Sequence, residues 1–176
     1  TNQIRSKLAE KIRDYISSLK WKYGPLANNF FRKLTRDLAF KEFKEIMNSP
    51  HVENLVRMFL TEMNRIEQNL FDFLTVREIK GIKVCFCELN EFFPAYRIFN
   101  FIKQNIGTFD VLVIIYRKNN RAKIEFRTMT NLDVHLLAEK LGGGGHTRAS
   151  GVSLNRNVER EEIEGMIRNT YKSLLK

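Results

Sequence analysis

The sequence predicts an α+β fold, which can also be classed as α/β. An N-terminal helical arm is expected to precede a mixed β-sheet domain with flanking helices. Apolar residues recur every three or four positions through the first part of the chain. Near residue 74 the period changes from about 3.6 to 2, the spacing typical of strands. Beyond that point strand-like and helix-like segments alternate. We therefore place a helical connector region at residues 1–74 and a sheet domain at residues 75–176.

The arm is predicted to contain three helices. The first ends before Gly24-Pro25, the second lies within "NNFFRKLTRDLAFKEFKEIMN" and stops at Asn48-Ser49-Pro50, and the third runs from about His51 to Phe73,. The residues expected to face inward are Ile4, Leu8, Ile12, Ile16 and Leu19 in the first helix, Phe31, Leu34, Leu38 and Ile46 in the second, and Leu55, Phe59, Ile66 and Leu70 in the third.

The sheet domain is predicted to open with a β-hairpin, because "TVREIKGIKVCFCEL" alternates on both sides of Lys80-Gly81,. A helix follows from Pro94 to Gly107, since proline suits the first turn of a helix and glycine its end. The next segment, "DVLVIIYRKNNRAKIEFRT", reads as two strands joined by a turn at Asn119-Asn120. Its stretch "VLVII" is apolar on both faces, which favours a central strand.

The last elements surround a run of four glycines. Asn131 is placed to cap a short helix that extends through Leu141,. We expect the glycines to form a loop, "RASGVSL" to form a strand, and residues 158–175 to form a closing helix. The first turn of that helix carries three glutamates, as the helix dipole favours,.

Composition indicates a soluble, cytoplasmic chain. The hydrophobic fraction of 43% supports a packed core, and no apolar run reaches the roughly 20 residues that cross a bilayer,. No signal peptide is visible at the N-terminus. The chain begins with Thr1 rather than methionine, so we expect a preceding segment. The net charge of +10 favours a phosphate-rich partner,.

The segment "GGGGHTRASG" is the strongest candidate for a functional site. Glycines allow positive φ angles and close approach of a ligand, and successive exposed amides form an anion site. His146 and Arg148 would add donors, and arginine matches phosphate geometry. The P-loop and dinucleotide fingerprints are excluded, because both need a strand before the glycines and a helix after them.

A longer segment, "LAEKLGGGGHTRASGVSL", resembles the signature of the DHH-associated C-terminal domain of the DHH phosphoesterases, which include RecJ-type exonucleases, nanoRNases and cyclic-dinucleotide phosphodiesterases. The upstream segment "KIEFRTMTNLDVHLLAEKL" is similar to the family's order of strand, arginine with a small hydroxyl residue, and helix. The resemblance covers roughly residues 75–176. Residues 1–70 match no family that we can name.

The resemblance implies a substrate-binding part of a metal-dependent phosphodiesterase. In the family, an N-terminal DHH domain holds two Mn²⁺ ions and hydrolyses the phosphodiester, while the C-terminal domain binds substrate. The GGGGH motif of this chain would then contact a substrate phosphate or nucleotide. Carried over by position, the substrate-binding residues are Arg127, Gly143, Gly144, Gly145 and His146, with Arg148 beyond them.

The sequence departs from a complete DHH enzyme because it contains no metal-binding motif. Its histidines are His51, His135 and His146, and none belongs to an Asp-His-His triplet. We assign His51 to a capping or surface role and His135 to packing or exposure. The expected Mn²⁺ ions would be bound by an absent DHH domain, and we predict neither a metal site nor a catalytic residue in this chain.

Other functions remain open at this point. The chain could be a stand-alone, non-catalytic nucleic-acid-binding module, or a purely structural domain, although the glycine run argues against the latter. The basic side of the first helix could follow a nucleic-acid backbone or dock on the DHH domain, and we favour docking. The sequence does not choose between RNA, DNA and cyclic dinucleotides, and it leaves the oligomeric state open.

Overall fold

The protein is described here by a computed structural model that covers residues 2–37 and 42–171. Its contacts divide the chain into two compact units, one up to Gln68 and one from Asn69 onward. The division lies a few residues before the first strand, which begins at Leu74.

The first unit is helical. Its helices are α1 (Asn2–Tyr23), α2 (Ala27–Asp37), α3 (Phe43–Met47) and α4 (Pro50–Gln68), with a short 3-10 helix at Gly24–Leu26. The core joins Tyr15 and Leu19 of α1 to Val52 and Leu55 of α4. Leu55, Phe59 and Ile66 of α4 face inward as predicted, since each is at most 3% exposed. The predicted extension of this helix to Phe73 is wrong, because α4 ends at Gln68 and a 3-10 helix begins at Leu70.

A further expectation for this unit is wrong. The second predicted helix is not continuous, because α3 is a separate short helix preceded by the non-helical Glu42. The inward assignments of Ile4, Leu8 and Leu38 lie outside the described side chains. Phe31 and Leu34, as predicted, pack against the core of this unit.

The second unit contains a six-stranded mixed sheet, preceded by a 3-10 helix at Leu70–Phe73. The strands are β1 (Leu74–Ile79), β2 (Ile82–Leu89), β3 (Val111–Lys118), β4 (Arg121–Thr128), β5 (Gly144–His146) and β6 (Ala149–Leu154). Their order is β1-β2-β3-β4-β6-β5. Among the strands of the described residues, only the β2/β3 pair is parallel, and its crossover contains helix α5 (Ala95–Asn105).

Both predicted hairpins are present, with turns of the expected chemistry. Lys80 and Gly81 have φ angles of 51° and 76°, and Asn119 and Asn120 have angles of 51° and 56°. A two-residue turn of type I′ needs positive φ at both central positions, which glycine and asparagine tolerate best. Strand β3 is central and its first five residues are buried, as its apolar pattern predicted.

The sheet has two different faces. On one face, Val84 of β2, Val113 of β3 and Phe126 of β4 share a core with residues of helices α6 (His135–Lys140) and α7 (Arg160–Thr170). On the other face, the two free cysteines Cys85 and Cys87 are buried. Burial raises the pKa of the Cys87 thiol to about 12, so this thiol stays protonated and unreactive at neutral pH,.

Helix α6 begins later than expected, and Asn131 does not cap it. The N-cap residue is Val134, and it makes no side-chain cap hydrogen bond. Just before it, Asp133 Oδ1 accepts a hydrogen bond of 2.9 Å from the backbone N–H of His135. Helix α7 carries Glu161 and Glu162 in its first turn, as the sequence indicated. Tyr171, at the end of α7, donates to the carbonyl of Asp133 at 2.9 Å and so ties the two helices together.

Glu88 of β2 connects two arginines on the first face. It accepts hydrogen bonds of 2.6 Å from Arg117 of β3 and 2.6 Å from Arg160 of α7. Partial burial would raise the pKa of Glu88, but these hydrogen bonds outweigh burial and hold the pKa below its usual range. The carboxylate therefore contributes stability that is present above the unfolded-state pKa and is lost as the pH falls through the lower folded-state pKa.

Glu88→Gln is expected to lower the free energy of unfolding at pH 7 by about 2 kcal/mol, because a hydrogen-bonded charge is removed from between two arginines. The difference from wild type should narrow as the pH falls below about 4.3, where the unfolded carboxyl is protonated. Urea unfolding at several pH values measures both effects. Glu78→Gln, at an exposed position of β1, is the control. Equal stability of Glu88→Gln and wild type at pH 7 would contradict this role of Glu88.

Candidate functional site

The glycine run is not a loop, as the sequence suggested, but a helix cap followed by a strand. Gly142 has a φ angle of 79° and ends α6. Its N–H donates to the carbonyl of Glu139 at 2.9 Å, and the N–H of Gly143 donates to that of Ala138 at 2.8 Å. This pair of bonds is the Schellman arrangement that closes many helices. The chain then continues directly into β5, at the edge of the sheet.

The four glycines have different structural requirements. A Cβ on Gly143 would lie 2.4 Å from the carbonyl oxygen of Gly151, and one on Gly145 would lie 2.6 Å from Cα of Ser150. Gly145 also has a φ angle of 140°. Gly144 differs, because a Cβ there would have no heavy atom within 4 Å. The fold thus accounts for Gly142, Gly143 and Gly145 but not for Gly144.

Strand β4 supplies a charged row on the face opposite to the α6/α7 core. Its even-numbered residues from Ala122 to Thr128 are buried, while Lys123, Glu125 and Arg127 project from the other side. Alternating residues of a strand point to opposite faces, which explains this separation. Glu125 accepts from Lys123 Nζ at 2.7 Å and from an Arg127 guanidinium nitrogen at 2.8 Å.

The sheet register brings the glycine strand to the same face. Ala149 of β6 pairs with Arg127 on one side and with His146 on the other. Directly paired residues share a face, and neighbouring strands lie about 4.8 Å apart, so Arg127 and His146 are roughly 10 Å apart across β6. In the next row, Gly151 lies between Glu125 and Gly144. We call this surface the open face; its members on β4, β6 and β5 are Lys123, Glu125, Arg127, Ala149, Gly151, Ser153, Gly144 and His146.

The open face contains a shallow depression of about 370 Å³. Its floor is nearly free of side chains at Gly144, Gly145 and Gly151, and its wall on β4 carries Arg127 and Lys123. His146 lies beside it and is exposed. Among the described residues, the His146 side chain has no hydrogen-bond or ion-pair partner, so it is available to a ligand. The arrangement suits an anion that approaches the backbone closely.

The predicted site residues are therefore not equivalent. Arg127, Gly144, Gly145 and His146 come together on or beside the depression. Gly143 packs against Val152 outside it, and Arg148 is exposed in the turn between β5 and β6. Sequence reasoning did not single out Lys123 or Glu125. The pattern that could have identified them is the alternation "RAKIEFR", in which every second residue is charged and the residues between are apolar.

The site does not have the composition of a metal centre. Within residues 2–37 and 42–171, no three His, Cys, Asp or Glu side chains converge as ligands. Glu125, the carboxylate of the depression, is already held between two cations. The other histidines lie elsewhere: His51 is exposed in the first turn of α4, and His135 starts α6 with its Nδ1 buried and without a hydrogen-bond partner in the described part of the chain. These residues do not fit a pair of Mn²⁺ ions.

The described helices also show no transmembrane character: none within residues 2–37 and 42–171 combines the length and apolarity needed to cross a bilayer.

Comparison with known structures shows a related fold in the pGpG-specific phosphodiesterase PggH from Vibrio cholerae, with 12% identity, a TM-score of 0.55, and coverage of 84% of this chain and 51% of that one. The chain thus spans about half the length of PggH.

Two further structures are more distant. The C-Ala domain of alanyl-tRNA synthetase from Aquifex aeolicus gives 12% identity and a TM-score of 0.45, over 54% of this chain and 96% of that one. An exopolyphosphatase-related protein from Bacteroides fragilis gives 15% identity and a TM-score of 0.47, over 73% of this chain and 46% of that one.

Sequence comparisons give one clear family. No curated protein matches the chain significantly. The family model of the DHHA1 domain, however, matches residues 82–173, more than half of the chain and most of the sheet unit. The match includes the strand that carries Arg127, the glycine run and His146. The chain belongs to the DHHA1 domain family, the domain associated with DHH phosphoesterases.

Proposed function

We propose that this chain is the substrate-binding part of a DHH phosphodiesterase and that the open face holds a phosphate of a nucleotide or short oligonucleotide. One observation carries the proposal: Gly144, the glycine that the fold does not require, lies on the same face as Arg127 and His146. A phosphate fits this arrangement. It can occupy the space above Gly144 while the two cationic or hydrogen-bonding side chains beside it contact its oxygens.

Arg127 is well placed for this role. One of its terminal nitrogens donates to Glu125 and the other donates to the carbonyl of Phe126 at 3.2 Å. Because a guanidinium has five N–H donors, these two bonds leave donors for a ligand. The bond to Glu125 restricts the guanidinium before substrate arrives, which reduces the entropy lost on binding. Glu125 is thus a positioning residue for Arg127.

His146 and the backbone near Gly144 would complete the contacts. A histidine donates to a phosphate oxygen through a ring N–H. Without a side chain at Gly144, the phosphate can approach the strand backbone closely. Donors arranged before the substrate binds lower the cost of orienting the scissile phosphate.

Hydrolysis is proposed to take place on a DHH domain outside this sequence, and the Mn²⁺ ions would be bound there. The poor fit of the open face to metal ions supports this division. PggH, which shares the fold, is named as a pGpG-specific phosphodiesterase. We infer by analogy that nucleotides with one or a few phosphodiester bonds are the substrate class, and that the DHH domain is the partner of this unit.

The test is a comparison of this chain alone with the full-length product of its gene, each given Mn²⁺ and a 5′-phosphorylated dinucleotide. We expect the chain alone to bind the dinucleotide without hydrolysing it, and the full-length protein, with an Asp-His-His triplet upstream, to hydrolyse it. Hydrolysis by the purified chain alone would contradict the proposal. Binding without hydrolysis by the full-length protein would instead support the alternative of a non-catalytic nucleic-acid-binding module.

A further inference from the structure

A second depression lies on the same side of the sheet as the open face, toward the β3/β4 turn. It has a volume of about 420 Å³, and its lining includes Tyr116, Lys118, Arg121 and Asn155. Lys123 and Ser153 line both depressions, so the two adjoin. The proposed phosphate site therefore has a second depression beside it.

The register places a row of cations along these two depressions. Lys118 pairs with Arg121, and Tyr116 pairs with Lys123, so these residues share the face of Arg127. We call Lys118, Arg121, Lys123 and Arg127 the basic strip. From Arg121 to Arg127 it extends about 20 Å, at roughly 3.4 Å per residue.

The two ends of the basic strip differ in how their charges are compensated. At the Arg127 end, Glu125 neutralises part of the charge of Arg127 and of the neighbouring Lys123. Lys123 Nζ also lies 5.6 Å from the ring centroid of Tyr116. At the turn end, Lys118 and Arg121 are exposed, and within the described residues neither side chain has a hydrogen-bond or ion-pair partner. Two uncompensated cations beside a depression favour negative charge there.

We infer that Lys118 and Arg121 form a second phosphate subsite and that the chain binds a single-stranded oligonucleotide along the basic strip. This inference rests on the proposed function, which supplies the first phosphate at Arg127 and His146. A length of about 20 Å is suited to a short segment, near the lower limit of about 4 nucleotides for single-strand binding sites. The strip follows a phosphate backbone and does not read base sequence.

The experiment measures the affinity of this chain for 5′-phosphorylated single strands of two to six nucleotides by fluorescence anisotropy at several salt concentrations. Affinity should increase between two and four nucleotides by about tenfold, the effect of two added phosphate contacts at moderate salt, and then level off. The double variant Lys118→Ala/Arg121→Ala should lose this increase and retain wild-type affinity for the dinucleotide. Its salt slope for the tetranucleotide should be smaller by about 1.4.

The control is Lys103→Ala/Arg168→Ala, which removes the same charge from the exposed surfaces of α5 and α7 and should keep the length dependence. If Lys118→Ala/Arg121→Ala also keeps the length dependence of affinity, the second subsite is wrong. The first site is tested separately, by the effect of His146→Ala on the affinity for the dinucleotide. Tighter binding of linear polyphosphate than of an oligonucleotide of equal charge would also overturn the inference.

Discussion

Gly145→Ala is expected to lower the free energy of unfolding of the sheet unit by about 3 kcal/mol. The φ angle of 140° at this position is one that alanine rarely adopts. The added Cβ would also lie 2.6 Å from Cα of Ser150 and 2.7 Å from the carbonyl oxygen of Ala149. Both neighbours belong to the backbone of β6, so neither can move without disturbing the sheet. Urea unfolding followed by circular dichroism measures the loss.

Gly144→Ala is the matched control, because it makes the same chemical change one residue away. Its Cβ would have no heavy atom within 4 Å, so the expected change in unfolding free energy is within about 0.5 kcal/mol,. Equal losses in the two variants would show that the glycines share one role and would remove the distinction on which Gly144 is assigned to ligand binding.

His146→Ala is expected to weaken binding of a 5′-phosphorylated dinucleotide by about 1–3 kcal/mol, a factor of roughly 5 to 150. The exposed side chain contributes no hydrogen bond within the described structure, so its removal should leave stability nearly unchanged. Calorimetric titration measures the affinity, and His51→Ala, an exposed histidine of the helical unit, is the control. Unchanged affinity in a folded His146→Ala variant would exclude the imidazole from the site.

The sequence predicted the strands best where side chains alternate or where a turn has a specific chemistry. The hairpin at Lys80-Gly81 and the turn at Asn119-Asn120 were readable because residues that tolerate positive φ interrupt alternating segments,. The central position of β3 followed from its apolar residues on both faces. These features are local, so one segment is enough to identify each.

The sequence failed where tertiary contacts decide the structure. Strand β5 consists of two glycines and His146, which have no apolar alternation, and it forms because β6 provides a partner. Helix α6 begins after Val134 and is not capped by Asn131, and Asp133, the residue before the N-cap, accepts a hydrogen bond from the backbone N–H of His135. The separate helix α3 was also missed, since the apolar spacing of that segment continues across the break.

The candidate site was predictable in part. The glycine run, His146 and Arg127 were found from one motif and its order, but their shared face depends on the register of β4, β6 and β5. Periodicity alone could not show that Gly143 and Gly145 are required by contacts with β6 while Gly144 is not. Nor could it show that Glu125 holds both neighbouring cations on its strand.

A crystal structure of this chain with a 5′-phosphorylated dinucleotide would test the central proposal most directly. We predict a phosphate above Gly144, with its oxygens about 2.7–3.2 Å from the Arg127 guanidinium and from a ring nitrogen of His146. A dinucleotide bound with its phosphates away from the open face, and with the space above Gly144 empty, would contradict it.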